Sequence, residues 1–307
     1  MQVYVGVTDK AWFDFLAERR PDEVNFWRPS GTTAFRALQP GAPFLFKLHH
    51  PYRAVAGGAF FVSYTVLPLS LAWQTFGEKN GAPDFASFRD RILQYRQGRG
   101  TAGADPAIGC IVLANPFFFP EDHWIPEPQD WARNLVQGRR YDTGEPIGAV
   151  LWQQVQERLQ AANLPEPVTP GEEARYGAEY LTRARLGQGA FRVLVTGAYE
   201  RRCAMTGERT LPVLQASHIK PFAQSGPNRV NNGLLLRADL HILFDQGLLT
   251  VTNDLRVEVS QRIKDTYDNG REYYALHGQK LAVVPSHVWE RPSSEWLEWH
   301  NQHVFVP

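Results

Sequence analysis

The 307-residue chain has little cysteine, lysine or methionine and no long apolar run. Its two cysteines, Cys110 and Cys203, stand far apart, which excludes a disulfide scaffold and points to a reducing, cytoplasmic setting. Two isolated thiols cannot build a four-cysteine metal site, so no structural zinc is expected and apolar packing must hold the core. No stretch of eighteen apolar residues occurs, so no membrane-spanning helix is expected. The opening M-Q-V-Y-V-G-V goes straight into a strand pattern, without the basic segment and apolar core of a secretion signal. Basic and acidic side chains balance at 32 each, which argues against a uniformly basic coat but leaves room for local segregation of charge. Only six of the basic residues are Lys. Arg suits bidentate phosphate and base contacts, yet a GC-rich coding sequence explains the bias more simply.

What is present suffices for two cores. Apolar residues make up 43% and aromatics 12%, and the length suits two domains or one large one. In the first half, V-Y-V-G-V, P-F-L-F-K-L, A-V-A-G-G-A-F-F-V-S-Y-T-V-L and I-G-C-I-V-L-A read as strands. A-W-F-D-F-L-A-E-R, S-L-A-W-Q-T-F and F-A-S-F-R-D-R-I-L-Q-Y-R read as helices. Short strands mixed with small helices predict an α+β domain on a curved sheet or partial barrel. Pro, Glu and Gly density then marks a linker, giving expected boundaries of 1–160, 161–182 and 183–307. Each side has enough apolar residues for a core of its own. Near the end, S-E-W-L-E-W-H-N-Q-H-V-F reads as a closing helix in which Trp296, Trp299 and His300 pack.

The most informative stretch runs from His218 to Asp245. V-L-Q-A-S-H-I reads as a short strand, and S-G-P-N-R as a loop broken by Gly226 and Pro227. Asn232 and Gly233 give an N-G turn signal, L-L-L-R a second strand, and A-D-L-H-I-L-F-D-Q a helix stopped by Gly247. His218, Asn232, His241 and Asp245 are spaced by 14, 9 and 4 residues, and the last two share one helical face. Polar groups thus converge from the first strand and from the helix.

This His…Asn…His order in a strand–loop–strand–helix setting resembles the HNH endonuclease family and its ββα-metal core. The flanking R-x-x-x-G-Q-x-x-F-R, C-x-x-T-G and L-H-x-L-F-D-x-G resemble the subgroup described as predicted restriction endonucleases. The resemblance spans about residues 186–262. It implies metal-assisted phosphodiester hydrolysis, with His218 as general base, Asn232 orienting it, and His241 and Asp245 as metal ligands. A histidine suits the base role because its pKa lies near neutrality, and a His–carboxylate pair suits Mg²⁺ or Mn²⁺. Two features depart from the family pattern. Ser217 stands where many members place a ligand before the base, so water, Asp239 or a phosphate oxygen would complete the shell. The paired C-x-x-C motifs of many relatives are also missing.

P-G-A-P-F-L-F-K-L followed by Y-R-A-V-A-G-G-A-F-F-V resembles the PUA-like superfamily, which includes EVE, YTH, ASCH and SRA domains. Joined to HNH nucleases, such domains read modified bases, holding a flipped base between aromatic faces. Residues 25–31 (N-F-W-R-P-S-G) and 117–126 (F-F-F-P-E-D-H-W-I-P) supply aromatics beside prolines, with Trp27 and Trp124 as candidate base-reading residues. The expected protein is a modification-dependent DNA endonuclease acting on double-stranded DNA that carries modified cytosine. One HNH site cuts one strand, so a double-strand break calls for two sites, most simply in a two-fold homodimer. The alternatives are an HNH nuclease or nickase with another trigger, and a modified-base binding protein with a degenerate nuclease site.

Overall fold

The computed structural model describes residues 1–96, 103–161 and 186–307. They form two compact units, Met1–Ala190 and Phe191–Pro307. The expected linker, 161–182, lies outside the described residues except for Ala161, the last residue of a helix.

Unit 1 begins with β1 (Gln2–Thr8) and α1 (Lys10–Arg19). Asp9 divides them because its carboxylate accepts the Trp12 N–H at 2.7 Å, capping the helix. Trp12, Phe13 and Leu16 fall on one face of α1 and are buried. There follow β2 (Glu23–Arg28), β3 (Pro43–Leu48), β4 (Ala54–Pro68), α2 (Leu69–Phe76), α3 (Phe85–Arg96), β5 (Ala107–Phe118), β6 (Ile125–Pro126), β7 (Gly138–Asp142) and α4 (Pro146–Ala161). The strand order is β2-β5-β4-β3-β1-β7, with β6 on β4. β1 and β3 pair in parallel, and the other pairs are antiparallel.

The path curls back on itself. Arg28, at the end of β2, donates to Gln137 Oε1, beside β7, at 2.7 Å, although these strands stand at opposite ends of the order. Register shifts in β4 between Gly58 and Phe60 and between Phe61 and Ser63 bend the longest strand. A Cβ at Gly57 would run into the Phe117 carbonyl, and one at Gly58 into the Phe117 ring and the Phe44 carbonyl. Glycine is therefore what lets β4 pack at this bend. The α+β class and the curved sheet expected for the first half are both present.

The stretch 25–31, which offers aromatics beside a proline, is in part a strand. Its residues up to Arg28 belong to β2, whose partner is β5 from Glu23↔Ala114 to Arg28↔Gly109. Buried Glu23 accepts the Lys79 ammonium at 2.9 Å and the amide N–H groups of Gly189 and Ala190 at 2.8 and 2.7 Å, all in the same unit. A fully buried carboxylate needs such partners.

Unit 2 is entered through α5 (Gln188–Ala198), whose first residues close unit 1. It continues with β8 (Leu214–His218), β9 (Gly233–Arg237), α6 (Ala238–Asp245), β10 (Leu249–Val251), β11 (Val257–Val259), α7 (Arg262–Tyr267), α8 (Arg271–Tyr274) and α9 (Ser294–His303). β8 and β9 form an antiparallel hairpin from Leu214↔Arg237 to His218↔Gly233. Leu234, Leu235 and Leu236 are fully buried and pack with Phe191, Tyr199, Leu240, Phe244 and Leu297. On α9, His300 stacks on Phe244 at 3.8 Å, and burial pushes its pKa down to about 4. It is a packing histidine. Among the described residues, no helix is long and apolar enough to cross a membrane.

Candidate active site

The hairpin and α6 bring together the polar groups of the 218–245 stretch. His218 ends β8 and is half-buried, with its ring stacked on Phe191 at 3.9 Å and 11° between planes. Its Nε2 meets Asn228 Oδ1 at 2.8 Å. An amide oxygen only accepts, so Nε2 carries the proton and Nδ1 keeps its lone pair. Burial lowers the His218 pKa; the Asn228 hydrogen bond and the Asp245 charge act against this, and His241 adds to it. His218 therefore shares one local field with the two α6 residues.

His241 and Asp245 lie one turn apart on α6, with His241 Nε2 3.2 Å from Asp245 Oδ2. His241 Nδ1 meets Gln215 Oε1 at 2.7 Å, so here the proton sits on Nδ1. The Nε2 lone pair then faces a carboxylate oxygen, and two electron-rich atoms at that distance call for a proton or a cation between them. A divalent ion with oxygen and nitrogen donors fits this pair, and the outer Nδ1–H bond is what an imidazole ligand ordinarily makes. Among the described residues, no group of three His, Cys, Asp or Glu side chains is arranged to hold a metal. Asp239 is engaged elsewhere: its two oxygens take Arg237 Nε and Nη2, each at 2.7 Å. Ser217 is fully buried, and its hydroxyl leans on the His218 carbonyl at 3.4 Å.

Asn232 is placed differently from its expected role. Its Oδ1 accepts the Lys220 N–H at 2.9 Å, and its Nδ2 donates to the carbonyls of Lys220 and Pro227, both at 3.0 Å. It thus ties the loop back to Lys220, just past the end of β8, and the side chain meeting the His218 ring is Asn228. The N-G signal also resolves differently. Asn232 closes a 3₁₀ turn, and Gly233 starts β9 with an extended φ of −131°. The glycine the loop depends on is Gly226, where a Cβ would overlap the Lys220 carbonyl. Replacing Asn232 by Ala removes three hydrogen bonds from a buried group, worth about 3 kcal/mol at roughly 1 kcal/mol each. Urea unfolding of Asn232→Ala should show that loss together with reduced cleavage. An unchanged midpoint would contradict the tying role.

The C-A-M-T-G turn closes without a second thiol. Gly207 N–H donates to the Cys203 carbonyl at 2.9 Å, Cys203 N–H to the Glu208 carbonyl at 2.8 Å, and Arg237 N–H to Cys203 Sγ at 3.4 Å. Both cysteines are buried and free, and burial pushes the Cys110 thiol up to about 12.

In unit 1, the Trp27 indole donates to the Asn80 carbonyl at 2.9 Å, with Phe88 and Tyr95 edge-on at 6.1 and 5.8 Å. The Trp124 indole donates to the Phe119 carbonyl at 3.0 Å, with Tyr52 edge-on at 5.7 Å and Lys10 Nζ 5.7 Å from its ring. Phe191 is the Phe of the R-x-x-x-G-Q-x-x-F-R motif, which the sequence marks without a role, whereas Asn228 and Gln215 carry no signal of their own there.

Residues 203–252 match the model of the HNH endonuclease family, so this part of the chain is an HNH domain. Among solved structures, the ASCH protein of Zymomonas mobilis is 11% identical, with a TM-score of 0.35 over 49% of this chain and 94% of its own. The modification-dependent TagI restriction endonuclease is 13% identical, with a TM-score of 0.27 over 92% of this chain and 75% of its own. The type IV phosphorothioation-dependent restriction endonuclease ScoMcrA is 12% identical, with a TM-score of 0.20 over 78% of this chain and 52% of its own. At these scores none of the three likenesses fixes a fold. None of the curated proteins matches the sequence.

Proposed function

We propose that this protein is a restriction-type DNA endonuclease in which the HNH unit cuts and the N-terminal unit selects DNA by a modified base. The observation that carries the nuclease reading is the pair of histidines with opposite tautomers. His218 has a free Nδ1 and His241 a free Nε2, each fixed by a side-chain amide. His218 Nδ1 takes the proton of a water whose oxygen attacks phosphorus, while the bond to the leaving oxygen breaks. Phe191 and Asn228 hold the ring for that transfer. A divalent ion held by His241 and Asp245 would neutralise charge on the phosphate and assist the leaving oxygen.

Selection by unit 1 is supported by its surface aromatics. Trp124, Tyr52 and Lys10 form a cluster with one cation and two ring systems, a composition suited to stacking against a base and to its phosphate. The full chain should be tested on matched duplexes with cytosine, 5-methylcytosine and 5-hydroxymethylcytosine. One modified duplex should be cut at least about 5-fold faster, since one base–aromatic stack is worth about 1–3 kcal/mol. Trp124→Ala should flatten the preference while leaving cleavage of plain DNA in place, and Trp27→Ala is the companion variant. Equal cleavage of all three duplexes would leave a nuclease with a different trigger.

A further inference from the structure

We infer that Asn228 is a positioning residue: its side-chain oxygen holds His218 in the Nε2-protonated tautomer and so designates Nδ1 as the atom that takes the proton. The base role of His218 rests on the function proposed above, whereas the tautomer does not.

The geometry admits few alternatives. His218 Nε2 and Asn228 Oδ1 are 2.8 Å apart, an ordinary length for a strong N–H···O bond. Asn228 is itself 8% exposed, so little water competes for this oxygen. Its backbone is held on both sides: the Pro227 carbonyl accepts from Asn232 at 3.0 Å, and Arg229 N–H donates to that same carbonyl at 2.9 Å. The Phe191 face prevents the ring from tilting away. An imidazole in the other tautomer would turn a lone pair toward the Asn228 oxygen and lose the bond. Asn228 thus does for His218 what Gln215 does for His241, with the nitrogens exchanged. The His…Asn…His pattern gives no hint of this, because Asn228 lies inside the loop that the pattern spans.

The test combines ¹⁵N NMR of histidine-labelled full-length protein with cleavage kinetics, the His218 signals being assigned by their absence in His218→Gln. The wild-type ring should show the Nε2–H signature. Asn228→Leu keeps the volume but removes the acceptor. It should lose that signature and lower kcat about 10- to 100-fold, the range for an outer partner of a working histidine, with KM for DNA unchanged. Asn228→Asp keeps an acceptor in place and should retain both signature and turnover. An Nδ1–H wild-type ring, or an Asn228→Leu protein with the wild-type signature and kcat, would overturn the assignment. So would equal losses in Asn228→Leu and Asn228→Asp accompanied by a lowered melting point, which would mark a structural role. If wild-type protein cuts no DNA, the nuclease reading falls, and the ring signature in the two variants still decides what Asn228 does.

Discussion

His218→Ala should lower DNA cleavage by about 10²–10⁴-fold, the span typical of a lost general base, while leaving DNA affinity within about 2-fold. The variant loses the ring stack on Phe191, a loss of about 1 kcal/mol, so the protein should remain folded. His218→Gln, which retains a polar side chain but no base, should be equally inactive. The pH profile supplies a second reading of the same group. Burial lowers the His218 pKa, so the ring stays neutral, and competent as a base, to a lower pH than an ordinary histidine. Cleavage should therefore persist below the usual imidazole midpoint and fall only as pH drops through the lowered value. A folded His218→Ala protein with near-wild-type turnover would remove the base from this site.

Cleavage should also stop with EDTA and return with Mg²⁺ or Mn²⁺, and His241→Ala should reduce it by at least about 10²-fold. A bound ion contributes several kcal/mol of charge stabilisation, and each ~1.4 kcal/mol is tenfold in rate. Calorimetric titration with Mn²⁺ should show weaker binding in His241→Ala and unchanged binding in His218→Ala. Excess metal should partly rescue the first variant and not the second. Unchanged metal affinity in His241→Ala would show that the ion, if used, is held elsewhere. Asp245→Asn removes the carboxylate facing His241 Nε2 and should behave like the weaker ligand variant.

The hairpin–helix was legible because its elements carry local signals: an apolar strand pattern before His218, Pro221 and Gly226 in the loop, and Gly247 at φ +71° after α6. The sharing of a face by His241 and Asp245 follows from helical spacing alone. What escaped depends on partners distant in sequence. β2 carries no strand signal of its own because Pro29 and Gly31 dominate its end, whereas pairing with β5 over 80 residues away makes it a strand. β7 and α4 were not among the elements read, although Leu151, Trp152, Val155 and Leu159 have helical spacing and are buried. In the site, Asn232 and Asn228 are only four residues apart in one polar loop. Nothing in the sequence separates the one that ties the backbone from the one that meets the ring.

The phenyl face of Phe191 lying 3.9 Å from the His218 ring determines when the imidazole loses its rotational freedom. Side-chain ordering costs up to about 1.5–2 kcal/mol for the most flexible residues and less for a ring. Here that loss occurs as the chain folds, before any DNA arrives. With His218 in its proposed role as base, the barrier to cleavage contains no contribution from ordering that ring, and what remains to be aligned is the water and the phosphate.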